Sequence, residues 1–113
     1  IVLHAHGDNR DTWKELVATW ASFERPPSLT LTHQSLTAYV GMLNPGGFTD
    51  GDRALCFIQM MGRSLESVEC IGFRTDAVGR WSGSTNPVRK LEKLAWMQEA
   101  MRRLGVEHHL IND

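Results

Sequence analysis

His4-Ala5-His6-Gly7-Asp8 is the sharpest chemical motif in the chain. Residues i and i+2 of a strand project from one face, so His4 and His6 could chelate one divalent ion with Asp8 as a third ligand. His108 or His109 could join them if the last strand pairs beside the first. Neutral imidazole suits zinc, manganese or nickel, and an open coordination position would activate water for hydrolysis. Two histidines at a strand end more often take hydrogen bonds than metal. The leading expectation is therefore no cofactor, with a divalent metal and a hydrolase or nuclease activity kept as the alternative.

The second chemical signal is the face of a helix near the C-terminus. Arg89, Lys93, Trp96, Ala100 and Arg103 fall at i, i+4, i+7, i+11 and i+14, in one stripe opposite an apolar arc of Leu94, Met97, Met101 and Leu104 with Leu91 at its margin. Trp96 is thereby placed among cations, away from the core side. Residues 63–104 carry eight basic against five acidic side chains, and residues 1–62 carry four against six. Arg74, Arg80 and Trp81 add to the basic segment. Cations neutralise phosphates and an indole stacks on an unpaired base, so the pattern points to a nucleic-acid surface. A formal net charge of −1 argues against an avid phosphate binder. Solvated cations, or a protein interface centred on Trp96 with arginine anchors, are the competing readings.

Three resemblances attach to the N-terminal motif, each over a small part of the chain. His4-Ala5-His6 resembles the His-hydrophobic-His motif of single-strand DNA nicking enzymes, with Tyr39 in the place of their nucleophile. Their following lysine is absent, because Val40-Gly41-Met42-Leu43 comes next. His4-Ala5-His6-Gly7-Asp8 is similar to the metal signature of the metallo-β-lactamase fold, but Asn9 stands where a further His is typical. The opening through Trp13 looks like an α/β-hydrolase start, and no Gly-x-Ser-x-Gly elbow follows. None of the three is adopted.

The elements that must position these residues follow from periodicity. Ile1 to Ala5 reads as a strand broken at Gly7-Asp8-Asn9. Thr12 and Glu15 have capping-box spacing, and Trp13, Leu16, Val17 and Trp20 form a helical stripe, which predicts a helix over about 11–24 ended by Pro26-Pro27. Leu29 and Leu31 alternate as a short strand. Leu36, Tyr39, Val40 and Leu43 repeat the helical spacing, with Thr32 as a cap and Asn44-Pro45-Gly46-Gly47 as a breaker. Gly46-Gly47 is not followed by Lys-Ser/Thr, so this segment is read as a turn and not as a phosphate cradle. Thr49 or Asp50 caps a third helix through about Gly62, apolar nearly all round and so expected to be the most buried. A hairpin is predicted over about 67–83, a last helix from Ser84-Thr85-Asn86-Pro87 to Leu104 with Gly105 beyond it, and a strand from Val106 to Ile111.

This order predicts an α+β fold, a small mixed sheet with about four helices, in a single domain over 1–113. The alternative is a mainly helical winged helix-turn-helix built on 33–62 and the hairpin. The 113 residues suit one domain and exclude barrels and two-lobed enzymes. A hydrophobic share of 42% with 22% charged residues argues against disorder, and no apolar run is long enough to cross a bilayer. Cys56 and Cys70 match no common zinc spacing and read as free thiols in a reducing, cytoplasmic setting. The functional expectation is a small intracellular binding or regulatory module. Its partner would be nucleic acid or protein, through Arg74, Arg80, Trp81, Arg89, Lys93, Trp96 and Arg103, with no membrane association and with homodimerisation as one outcome.

Overall fold

The computed structural model describes residues 1–78 and 86–107, and the backbone of 110–111. The fold is α+β. Its order is β1 (Val2–His4), α1 (Arg10–Ala21), β2 (Thr30–Thr32), β3 (Met42–Leu43), α2 (Asp50–Met60), β4 (Cys70–Ile71), α3 (Pro87–Leu104) and β5 (Leu110–Ile111). Three helices stand among the described residues where about four were expected. Contacts divide the chain into two compact units, Ile1–Asn44 and Pro45–Asp113. None of the described helices is long and apolar enough to cross a membrane.

The first unit is a three-stranded sheet of order β1-β2-β3, parallel throughout, where a mixed sheet was expected. Val2, Leu3 and His4 pair with Thr30, Leu31 and Thr32, and Leu31 and Thr32 pair with Met42 and Leu43. Parallel neighbours need a crossover, and α1 supplies it between β1 and β2. The expected capping box at Thr12 and Glu15 does not form, because α1 begins at Arg10 with Asn9 at its N-cap. Trp13, Val17 and Trp20 of the α1 stripe are half-buried and Leu16 is exposed. The buried side chains among this unit's described residues are Thr32 and His33, both polar.

No helix forms over residues 33–43, which removes the winged helix-turn-helix alternative. Side chains take the hydrogen bonds that helical backbone would use: the Ser35 N–H donates to His33 Nδ1, the Thr37 N–H to Ser35 Oγ, and the Asn44 amide to the Ser35 carbonyl. The apolar spacing there finds nothing to bury against, and Leu36 and Val40 are fully exposed. Gly41, at φ 79°, ends the loop in the left-handed region and leads into β3.

The second unit holds the apolar core: Leu55, Leu65, Cys70, Leu94, Met97, Met101 and Val106, with Ile58, Val68, Phe73 and Leu104 packed around them. Each such buried side chain contributes about 1.5–3 kcal/mol. The apolar arc predicted for the last helix is the one α3 buries, and Leu91 at its margin is exposed. Asn86 caps α3 by accepting from the Val88 and Arg89 N–H groups, and Gly105 closes it at φ 74°. Of the three described helices α2 has the largest buried share, as expected, but not all round. Its C-terminal end is open, with Met60 and Met61 about half exposed, and its buried residues are Asp52, Arg53 and Leu55 near the N-terminus.

In the segment of the predicted hairpin, Cys70 and Ile71 form β4, which lies parallel to Leu110 and Ile111. The predicted return strand at 80–82 falls outside the described residues. His108 and His109, considered as further ligands, also fall outside the described residues. Cys56 and Cys70 are free thiols, as expected, and burial pushes both up from the ordinary thiol range.

Candidate functional site

The site with the most chemistry lies in the first unit, at the C-terminal ends of β1 and β2 and the start of α1. A cavity of about 580 Å³ opens there. Ala5, His6 and Gly7 come from the loop after β1, Arg10, Trp13 and Lys14 from α1, and His33, Gln34, Ser35, Tyr39 and Met42 from the segment after β2. Ligands of parallel α/β units bind in this position, because loops diverge from strand ends while a helix N-terminus points at the gap.

Hydrogen bonds hold these loops together. His4 Nδ1 and Thr32 Oγ1 are 2.5 Å apart and tie the ends of β1 and β2. The Ala5 N–H extends the ladder to the Thr32 carbonyl at 2.9 Å. Asn9 Oδ1 accepts from the His6 N–H at 2.8 Å, which turns the chain out of β1 and into α1. That oxygen therefore does not cap α1, whose first turn makes no side-chain cap hydrogen bond. The positive end of the α1 dipole, with Arg10 and Lys14 beside it, favours an anion. The Gln34 amide donates to His6 Nδ1 at 3.1 Å. His33 is buried, accepts from the Ser35 N–H and meets the Tyr39 ring edge-on at 5.0 Å.

The lining is graded. Arg10, Lys14, Gln34 and Tyr39 are exposed, whereas Ala5, Trp13, His33 and Met42 are half-buried or buried. The exposed part of the lining thus carries cations, an amide and the Tyr39 ring, and the shielded part carries Trp13, His33 and Met42. Trp13 Nε1 is shielded from solvent and has no hydrogen-bond partner among the described residues. Such a donor costs about 1–3 kcal/mol while it remains unsatisfied.

The structure does not bring the proposed metal ligands together. β1 ends at His4, so His6 lies past the strand and the two no longer share a strand face. Both imidazoles have hydrogen-bond partners. Asp8 is exposed in the loop. Among the described residues, no three His, Cys, Asp or Glu side chains are placed to hold a metal ion.

The basic face proposed from sequence belongs to the second unit. Trp96 is exposed, as its position predicted, and stacks on Phe48 with ring centroids 5.4 Å apart. Arg89 and Lys93 are exposed. Arg103 is engaged with Glu99 at 2.7 Å, and Arg102 holds the same carboxylate at 2.8 and 2.9 Å. Arg74 forms a two-pronged pair with Asp76, both bonds at 3.1 Å. Arg80 and Trp81 lie outside the described residues. The Arg102 and Arg103 guanidiniums hold the Glu99 carboxyl down to about 2. A carboxylate depressed in the folded state stabilises above the ordinary carboxylate range and loses that contribution as pH falls through about 2. Carbon-13 NMR of the Glu99 carboxyl should therefore give a titration midpoint near 2, moving up in Arg102→Ala. A midpoint in the ordinary range would mean the pair does not persist in solution.

The chain is similar to a curated pyrophosphokinase. It is 32% identical over 112 residues to the 6-hydroxymethyl-7,8-dihydropterin pyrophosphokinase of Pyrococcus furiosus, a match covering 98% of this chain and 42% of that protein. The chain thus spans less than half the length of the curated relative it matches. No family model matches it, and no solved structure does. This likeness overturns the reading of the chain as a nucleic-acid-binding or regulatory module, and the hydrolase and interaction-domain alternatives with it, because the relative is a kinase named for a pterin. The physical error lay in weighting the cationic stripe of α3. Two of its segment's arginines, Arg102 and Arg103, share one carboxylate, and Arg74 is paired with its neighbour Asp76.

Sequence reasoning missed Arg10, Trp13, Lys14, His33, Gln34 and Met42 as site residues. The usable signal was the loop His6-Gly7-Asp8-Asn9 between a strand and a helix, in a strand-helix-strand order that places it at a ligand edge. Trp13 was read as core because its spacing with Leu16, Val17 and Trp20 is helical, and that spacing cannot tell a core face from a cavity wall.

Proposed function

We propose that the cavity at the ends of β1 and β2 is the substrate site of a pterin pyrophosphokinase, of which this chain carries a part. The observation behind this reading is the graded lining: Arg10 and Lys14 exposed, Trp13, His33 and Met42 shielded. A pyrophosphokinase moves a diphosphoryl group from a nucleoside triphosphate to an alcohol. The hydroxymethyl oxygen of the pterin would bond to the β-phosphorus while the bridge to the α-phosphoryl group breaks. The nucleoside monophosphate leaves with the bridging oxygen, and one proton is released. Such a transfer depends chiefly on positioning and charge neutralisation. Arg10, Lys14 and the uncapped start of α1 would neutralise phosphoryl oxygens. Trp13, Tyr39 and Met42 offer surfaces for a flat ring. Asp8 of the loop and Asp11 of the first turn of α1, both exposed beside the cavity-lining Gly7 and Arg10, would offer hard oxygen donors to a divalent ion carried by the triphosphate, which would add positive charge at the phosphates.

A cytoplasmic location accords with this reading, since a nucleoside triphosphate is the donor and both cysteines are free thiols. The test is incubation of the chain with ATP and 6-hydroxymethyl-7,8-dihydropterin, alone and with magnesium, followed by chromatography. AMP and the pterin diphosphate should form in equal amounts. If the full-length protein carrying this segment forms neither, the reading fails.

A further inference from the structure

The one tyrosine of the chain stands in the wall of the first unit's cavity. Tyr39 is 50% exposed, whereas His33 beside it is 6% exposed. Their rings meet at 90° with centroids 5.0 Å apart. An edge-to-face contact covers at most one face of the phenol ring, so the exposed part of Tyr39 is open to a ligand where it stands. His33 is fixed in turn. Its N–H donates to the Leu43 carbonyl at 2.9 Å, and its Nδ1 accepts from the Ser35 N–H at 3.2 Å. A backbone N–H only donates, so this bond sets which way the imidazole is turned. The loop's other large apolar side chains, Leu36 and Val40, are fully exposed and give the Tyr39 ring no support.

We propose that His33 is a positioning residue that sets the angle of the Tyr39 ring, and that Tyr39 stacks on the flat ring of the substrate. The inference rests on the site reading above and adds the pair of residues that binds the ring. His33 is shielded, so it acts through Tyr39 and does not touch the ligand. Stacking asks for a flat ring and not for one hydrogen-bond pattern, so the pair selects fused heteroaromatic rings as a class. An aromatic side chain held in place beforehand gives up little freedom when the ligand binds.

The experiment measures binding of 6-hydroxymethylpterin and of a non-hydrolysable nucleoside triphosphate to wild type and three variants. Tyr39→Ala should weaken the pterin at least tenfold, about 1.4 kcal/mol, and leave the triphosphate within about twofold. His33→Asn keeps an acceptor for the Ser35 N–H but removes the ring, and should weaken the pterin about fivefold with the triphosphate again unchanged. His33→Phe restores a ring against Tyr39 and should bring pterin affinity back to within about twofold of wild type. In wild type, the ring protons of the single tyrosine should move upfield when the pterin binds, a readout that needs no variant. Equal losses of both ligands in His33→Asn, an unchanged pterin affinity there or in Tyr39→Ala, no recovery in His33→Phe, or tyrosine protons that stay in place overturns this inference and leaves the site reading standing. Failure of wild type to bind either ligand overturns both.

Discussion

Exchanging Arg10 and Lys14 together for glutamate is expected to weaken binding of a non-hydrolysable nucleoside triphosphate by about a hundredfold, or about 2.7 kcal/mol. The two cations lie four residues apart on α1, so both are carried on one helix face of the cavity lining. Reversing them replaces two attractive charges by two repulsive ones next to a polyanion, in a place where the start of α1 otherwise favours it. Both side chains are exposed, so the folded state should be little affected and circular dichroism unchanged. The same argument sets the salt dependence: wild-type affinity should fall as ionic strength rises, and the weak residual affinity of the variant should not. Calorimetric titration reads both. A loss of less than threefold would place the triphosphate elsewhere.

The largest expected effect on stability is at Asp52. This fully buried carboxylate accepts from the Phe48 N–H at 2.7 Å, the Thr49 N–H at 2.6 Å and the Thr49 hydroxyl at 2.5 Å. It completes the N-terminal cap of α2, next to the buried Arg53, whose guanidinium burial pushes down and whose charge Asp50 and Asp52 support. Asp52→Ala removes three acceptor contacts and leaves two part-buried backbone donors without their acceptor, an expected loss of about 3–4 kcal/mol. Urea unfolding followed by helical circular dichroism should show it as a lower midpoint at constant slope. A loss below about 1 kcal/mol would mean that water reaches these donors. Gly47 belongs to the same arrangement, since a Cβ there would lie 2.7 Å from the Arg53 backbone nitrogen.

The sequence makes some of this legible and hides the rest for physical reasons. α3 is readable at both ends, because Asn86, Pro87 and Gly105 act locally and need no tertiary partner. Its buried arc is readable too, because three of its four residues face one core. α2 is found from Thr49 and the acidic first turn, and it is the most buried of the described helices, but its C-terminal end is open, since an apolar helix end is buried only if something covers it. The loop over 33–41 is misread as helix: its apolar spacing is real, but the side chains of His33, Ser35 and Asn44 hold the backbone in another shape. Strands of two or three residues carry almost no alternation, so β3 is invisible in sequence and the parallel register of β2 is too.

For the candidate site, the N-terminal motif drew attention to the right place for the wrong reason. His4 and His6 form loop-fixing hydrogen bonds at the cavity, where a shared metal had been considered. Arg10 and Lys14 escaped notice because the first 62 residues are net acidic, and a charge sum hides two cations that one helix face brings together. Trp96 attracted a function through its place in a cationic helical stripe; it is exposed, as that spacing predicted, and its ring stacks on Phe48.

The most direct test is an amide NMR titration of the chain with 6-hydroxymethylpterin and a non-hydrolysable triphosphate analogue. Shifts concentrated at residues 5–14 and 33–42 would bear out a substrate site at the ends of β1 and β2, with the triphosphate moving Arg10 and Lys14 most. Shifts confined to α3 around Arg89, Lys93 and Trp96, or no shifts at saturating ligand, would contradict it.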